Sequence, residues 1–149
     1  IKMNTMIETI KEIHKEYVCL FKSGSFYHAY GKDAYILSYI FEYKVKNIGD
    51  READAGFPLN ALPKILAKLE QKKINYLVVD NRNNFEIDQE NNNGNLNNYL
   101  EIYEKARNYI NYKVRIDSIN KYLVENLEEK DFRKLLGRIE EIVYENRKV

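Results

Sequence analysis

The stretch Leu20-Phe21-Lys22-Ser23-Gly24-Ser25-Phe26-Tyr27-His28-Ala29-Tyr30-Gly31-Lys32-Asp33-Ala34 decides how the rest of the chain is read. It has the pattern of an apolar strand, a glycine break, an aromatic-rich second strand, a glycine stop and a helix start capped by Asp33. Upstream, Tyr17 to Phe21 is a β-rich apolar run that reads as a central strand, preceded by an amphipathic helix from Thr5 to Glu16 with Met6, Ile10 and Ile13 on its apolar side. Downstream, the helix opened by Asp33 runs to about Glu42, with Ala34, Leu37, Ile40 and Phe41 on one face.

Further out the alternation continues. Tyr43 to Gly49 alternates like a half-exposed strand, and Glu52 to Gly56 follows as a short strand or loop. Asn60 is placed to cap a helix through Lys73, with Pro63 tolerated in its first turn and Leu62, Ile65, Leu66 and Leu69 facing inward. Asn75 to Asp80 has the composition of a buried strand. This order of strands and helices predicts an α/β fold, a mixed β-sheet flanked by helices. Asparagines crowd residues 81 to 98, which read as a loop or linker around a short strand at Phe85 to Ile87. Two amphipathic helices, Leu96 to Leu127 and Glu129 to Arg147, then read as a C-terminal helical hairpin. The expected domains are 1–90 for the α/β part, 91–98 for the asparagine-rich linker and 99–149 for the helical pair.

The 149 residues suffice for one cored domain with an appendage, and a net charge of +1 supplies no global field toward nucleic acid, so any such contact needs a local patch. Cys19 is the only cysteine, which excludes an internal disulfide and a cysteine-based metal cage. No stretch approaches the roughly 20 apolar residues of a membrane span, and the first residues lack a signal-peptide layout. A cytoplasmic location is the expectation. There is no G-x-x-x-x-G-K-[ST] phosphate loop, hence no expectation of ATPase activity.

The opening stretch closely resembles the segment L-F-x-x-G-D-F-Y-E-x-x-G-x-D-A that begins the N-terminal mismatch-recognition domain (domain I) of the MutS DNA repair family. The likeness continues through Gly56-Phe57-Pro58-Leu59-Asn60-Ala61-Leu62, similar to the family's G-[hydrophobic]-P-x-H-A-L, and through the strand Tyr76 to Asp80. It covers Tyr17 to Asp80, about half the chain. The resemblance implies a stand-alone MutS domain I with a C-terminal helical extension. It also implies that Phe26 stands where the family pushes a phenylalanine into the DNA stack at a mispair. Here His28 replaces the family's glutamate and Ser25 its aspartate.

Phe26 and His28, with Lys22, Lys44, Lys46 and Arg51 as a basic rim beside the hairpin, are therefore the candidate nucleic-acid-binding residues. Read without the resemblance, Phe26 is a core residue of a hairpin, His28 a surface histidine and the lysines a solvated face. Arg107, Lys113, Arg115 and Lys121 offer a second basic group, although acidic neighbours favour simple solvation. The thirteen tyrosines are stacking surfaces for bases or core filling. Asp33, Asp50, Asp54 and Asp80 form a nuclease-like acidic set only if folding gathers them. The expectation is a non-enzymatic accessory module that binds DNA or RNA, without cofactor, metal or catalytic residues, serving a repair or mobile-element system. The alternative is a protein-interaction adaptor in which the helices bind a partner or themselves and the domain is scaffold.

Overall fold

Gly24 and Ser25 close a two-residue hairpin, with Ser23 paired to Phe26 across it. Of the two turn residues only Gly24 has a positive φ, 62°. That is the pattern of a type II′ turn, which demands glycine at its first central position and twists in the sense of the flanking strands. A computed structural model of the protein describes residues 5–49, 52–82 and 84–147. From the hairpin strands β1 (Val18–Ser23) and β2 (Phe26–Tyr30), the sheet grows outward in both directions. Strand β3 (Asp54–Pro58) adds antiparallel to β2, β4 (Tyr76–Asp80) adds parallel to β1, and β5 (Glu86–Asn91) adds antiparallel to β4. The sheet order is β3-β2-β1-β4-β5, a mixed sheet of five strands.

Helices cover both faces, and strand parity assigns each residue to one of them. Val18, Leu20, Tyr27, Ala29, Phe57, Tyr76 and Val78 form the larger core. They pack against α2 (Lys32–Phe41) through Ile36 and Leu37, against α3 (Leu62–Gln71) through Ile65, Leu66 and Leu69, and against the start of α4 (Tyr99–Glu125) through Tyr99, Ile102 and Ala106. On the opposite face, Cys19, Phe21, Leu77 and Val79 lie beneath Ile7 and Ile10 of α1 (Thr5–Ile13). That helix covers only part of its face.

Asp33 ties the layers together instead of capping a helix. The cap position of α2 is Gly31, with no side-chain cap bond. The Asp33 carboxylate is fully buried and accepts hydrogen bonds from the Tyr99 hydroxyl at 2.6 Å and the Cys19 amide at 3.1 Å, and it pairs with Lys11. One side chain thus joins α1, β1, α2 and α4. Burial pushes this carboxyl up against the pull of Lys11, Tyr99 and the Cys19 amide. Burial alone would lower the Lys11 ammonium, but the adjoining Asp33 more than reverses that, and its pKa lies above the ordinary lysine value.

Three other local readings change. Residues 43–49 form no strand ladder: the segment meets β3 at a single bridge, Lys46 to Asp54, while Val45 is buried in one core cluster and Tyr43 packs against another. Asn60 lies inside a 3-10 turn (Leu59–Ala61) that leads into α3, and makes no cap bond there. The asparagine-rich segment is stitched to the domain. The buried Asn75 carboxamide oxygen accepts from the Asn93 amide at 2.7 Å, the Asn97 oxygen accepts from the amides of Asn75 and Tyr99, and Asn98 donates to the Lys72 carbonyl. Phe85 and Asn84 have positive φ, so β5 begins after them.

The chain divides into two compact units, Ile1–Asn111 and Tyr112–Val149. In the second, a turn over Asn126 to Asp131 precedes α5 (Phe132–Asn146). None of the described residues of this unit is buried.

Candidate nucleic-acid interface

Because side chains alternate along a strand, Phe26, His28 and Tyr30 of β2 share a sheet face with Pro58, Gly56 and Asp54, their partners on β3. Tyr30 packs against the cluster that contains Ile7 and Ile10 of α1, whereas Phe26 is exposed. A groove of about 310 Å³ opens here, lined by Phe26, His28, Lys44, Lys46, Asp54 and Gly56. Phe26, the first residue of β2, is 45% exposed and stands at the groove beside the glycine turn. It is therefore not a core residue of the hairpin.

His28 is held from three directions. Its ring lies nearly parallel to Tyr30, at 9° and 6.1 Å between centroids, and its Nδ1 is 2.9 Å from Asp54 Oδ1. Directly opposite on β3 is Gly56, where a Cβ would come within 3.3 Å of ring atoms Cε1 and Nδ1. The missing side chain is what lets the imidazole lie across the strand toward Asp54, its diagonal neighbour. The lysines arrive by a different route. Backbone bonds of 2.8 and 3.0 Å clip Lys46 to Asp54, and Val45 is buried, so Lys44 and Lys46 alternate onto the groove side.

Four of the six candidates thus meet in one place. Lys22 does not join them: it pairs with Tyr27 and Asp80, which by parity puts it on the opposite sheet face. Arg51 lies outside the described residues. The groove also contains two residues whose role the sequence does not declare, Asp54 and Gly56. The signal for them is the period-two alternation Asp54, Gly56, Pro58 once it is set in register against Phe26, His28, Tyr30.

Other candidate residues have separate environments. Arg107, Lys113 and Lys121 pair with Glu104, Asp117 and Glu125 one helical turn away, while Arg115 rests over the Tyr112 ring. These exposed i,i+3 and i,i+4 pairs are worth little individually. His14 contacts its own helix, with Nδ1 at 2.9 Å from the Ile10 carbonyl. Of the four aspartates, Asp33 is buried against Lys11, Asp54 binds His28 and Asp80 lies beside Arg82, while Asp50 is outside the described residues. Among the described residues, no three His, Cys, Asp or Glu side chains gather as a metal site, and no helix is long and apolar enough to cross a membrane.

The chemistry of this end of the sheet is that of an aromatic ring at the surface, a directed imidazole and two lysines around a shallow groove. No curated protein matches the chain. The family model of MutS domain I, the DNA-binding mismatch-recognition domain, matches residues 2–114, running past the sheet into the first turns of α4. That is well over half of a 149-residue chain, and the protein belongs to the MutS domain I family.

Proposed function

We propose that the protein is a non-enzymatic DNA-binding module that engages duplex at this groove. Phe26 enters a weakened base step, His28 lies beside it, and Lys44 and Lys46 hold the backbone. The observation that carries the reading is the 45% exposure of Phe26 on a rigid strand beside the hairpin turn, at the rim of a groove lined by two lysines. A wedge must be aromatic, accessible and held, because unstacking a base step costs on the order of a few kcal/mol. A mispaired step is already loosened, so the ring selects by deformability rather than by base-edge bonds.

The test is a gel shift at low and moderate salt with matched and singly mispaired duplexes. Wild type is expected to prefer the mispaired duplex. Phe26→Ala is expected to remove that preference while leaving matched binding within about twofold, the lysine contacts being sequence-blind. Equal wild-type affinity for both duplexes sinks the mismatch reading, and no binding to duplex at low salt sinks the DNA reading.

A second reading, self-association or partner binding through the C-terminal helices, has its own support. Helix α5 carries Phe132, Leu135, Leu136, Ile139, Ile142 and Val143 at helical spacing, and no described residue from Tyr112 onward is buried. Isolated helices of this length are marginal without an apolar partner. Sedimentation of the full chain and of a chain ending at Asn111 would detect it as a change in association state.

A further inference from the structure

Helix α5 carries its side chains in a pattern that selects one partner. Phe132, Leu136, Ile139 and Val143 fall at steps of four, three and four, which draws a central line along one face. Arg133 and Glu140 border that line on one side, and Leu135 and Ile142 border it on the other. Phe132 and Ile139 are half-buried, while Leu135, Leu136, Ile142 and Val143 are exposed. The helix lies beyond residue 114, where the family match ends, so that match does not account for this surface. Arg133 and Lys134 stand in its first turn and Glu145 in its last, against the helix's own dipole, so these charges do not serve the helix in isolation. Helix α4 pairs Lys113 with Asp117 and Lys121 with Glu125 within itself, whereas among the described residues no ion pair engages Arg133 or Glu140.

We infer that α5 docks on α5 of a second copy of this chain, antiparallel about a two-fold axis, with Phe132 against Val143 and Leu136 against Ile139 of the other copy. This deepens the self-association reading above and does not depend on the DNA-binding one. A two-fold axis across an antiparallel pair brings each flank against the same flank of the other copy. Arg133 then meets Glu140 of the second copy, twice by symmetry, and Leu135 meets Ile142. A parallel pair would instead lay the charged flank of one helix on the apolar flank of the other and match neither. The surface thus holds both halves of its own complement, which is the argument for a second copy over an unrelated protein.

Two helices of this length meet over about 22 Å, at the small end of interface sizes, so the expected affinity is micromolar. Equilibrium sedimentation of the full chain from about 1 to about 200 μM should show a monomer–dimer equilibrium. Arg133→Glu and Glu140→Arg should each weaken it at least roughly tenfold, because like charges then face each other across the axis. Mixing these two variants should restore association to near the wild-type level, since each supplies the charge that the other now needs. Neither side chain is buried, so both variants should keep the wild-type far-UV circular dichroism.

A full chain that stays monomeric across the whole range overturns the inference and the self-association reading together. A dimer indifferent to both charge reversals overturns the antiparallel docking of α5 alone and leaves self-association to other residues. So does a pair of weakened variants that mixing fails to restore.

Discussion

Replacing Tyr99 with phenylalanine deletes one oxygen from the core and keeps the ring, which isolates the buried Asp33 network from packing. Tyr99 is 1% exposed, and its hydroxyl donates to Asp33 Oδ1 at 2.6 Å. The other carboxylate oxygen is engaged by Lys11 and the Cys19 amide. The substitution therefore removes the one hydrogen bond described for Oδ1 and strands half of a fully buried charged group. Hydrogen bonds to charged groups contribute about 1.5–3 kcal/mol, and a stranded buried acceptor belongs at the upper end of that range. The expected loss is about 2–3 kcal/mol, or roughly 6–15 °C in Tm for a domain of this size. Urea unfolding followed by far-UV circular dichroism measures it directly. Asp33→Asn and the double variant complete a cycle in which the two losses should be far from additive, because the two side chains share one contact. A loss below about 0.5 kcal/mol for Tyr99→Phe, or strict additivity in the cycle, would refute the account of how α4 is fastened to the sheet.

The alkaline limb of stability should be steep. Burial, then Asp33, raises the Tyr99 hydroxyl far above the ordinary 10.0, burial and Glu70 raise Tyr76 to about 12, and burial and Asp33 raise Cys19 from 9.0 to about 12. Each folded value lies above the unfolded one, so the stabilisation is fully present below pH 9.0 to 10.0 and is lost as pH climbs toward the folded values. Each group tilts stability by up to about 1.4 kcal/mol per pH unit, and melts at successive pH values should steepen above 9; a flat profile to pH 11 would contradict the burial of these groups. Single alanine substitutions of Lys44 and Lys46 should each reduce the slope of log affinity against log salt by about 0.9, read from binding at four or five salt concentrations. A chain ending at Asn98 should fail to show cooperative unfolding, since it lacks Tyr99, Ile102 and Ala106. One ending at Asn111 should unfold cooperatively.

The larger elements were legible because their periodicities are strong. The apolar runs Val18 to Phe21 and Tyr76 to Val79 become adjacent parallel strands at the centre of the sheet, where both faces are buried and a continuous apolar sequence is required. What was not legible belongs to partners distant in the chain. Asp33 has the position and chemistry of a helix cap, and only the arrival of Tyr99, 66 residues later, and of Lys11 shows that its carboxylate is employed elsewhere. Likewise the asparagines from 91 to 98 have the composition of a linker, yet the Asn93 amide donates to the Asn75 side-chain oxygen and the Asn98 side chain to the Lys72 carbonyl, partners that sequence proximity could not reveal.

The groove follows the same logic one level down. Phe26 and His28 stood out through a motif, and Lys44 and Lys46 through charge near an alternating segment, but the motif does not say which side of the sheet each will occupy. Parity does, once register is known: Lys22 is removed from the group because it pairs with Tyr27, while Asp54 and Gly56 enter it because they fall opposite Tyr30 and His28. A one-residue slip between β2 and β3 would exchange the faces and set Ala55 or Phe57, depending on its direction, against His28. The buried Phe57 and Ala55, locked into the core by α2 and its neighbours, forbid that slip. The same apolar residues that stabilise the sheet thereby hold His28, Phe26 and the lysines in one register, and the groove is a consequence of the core behind it.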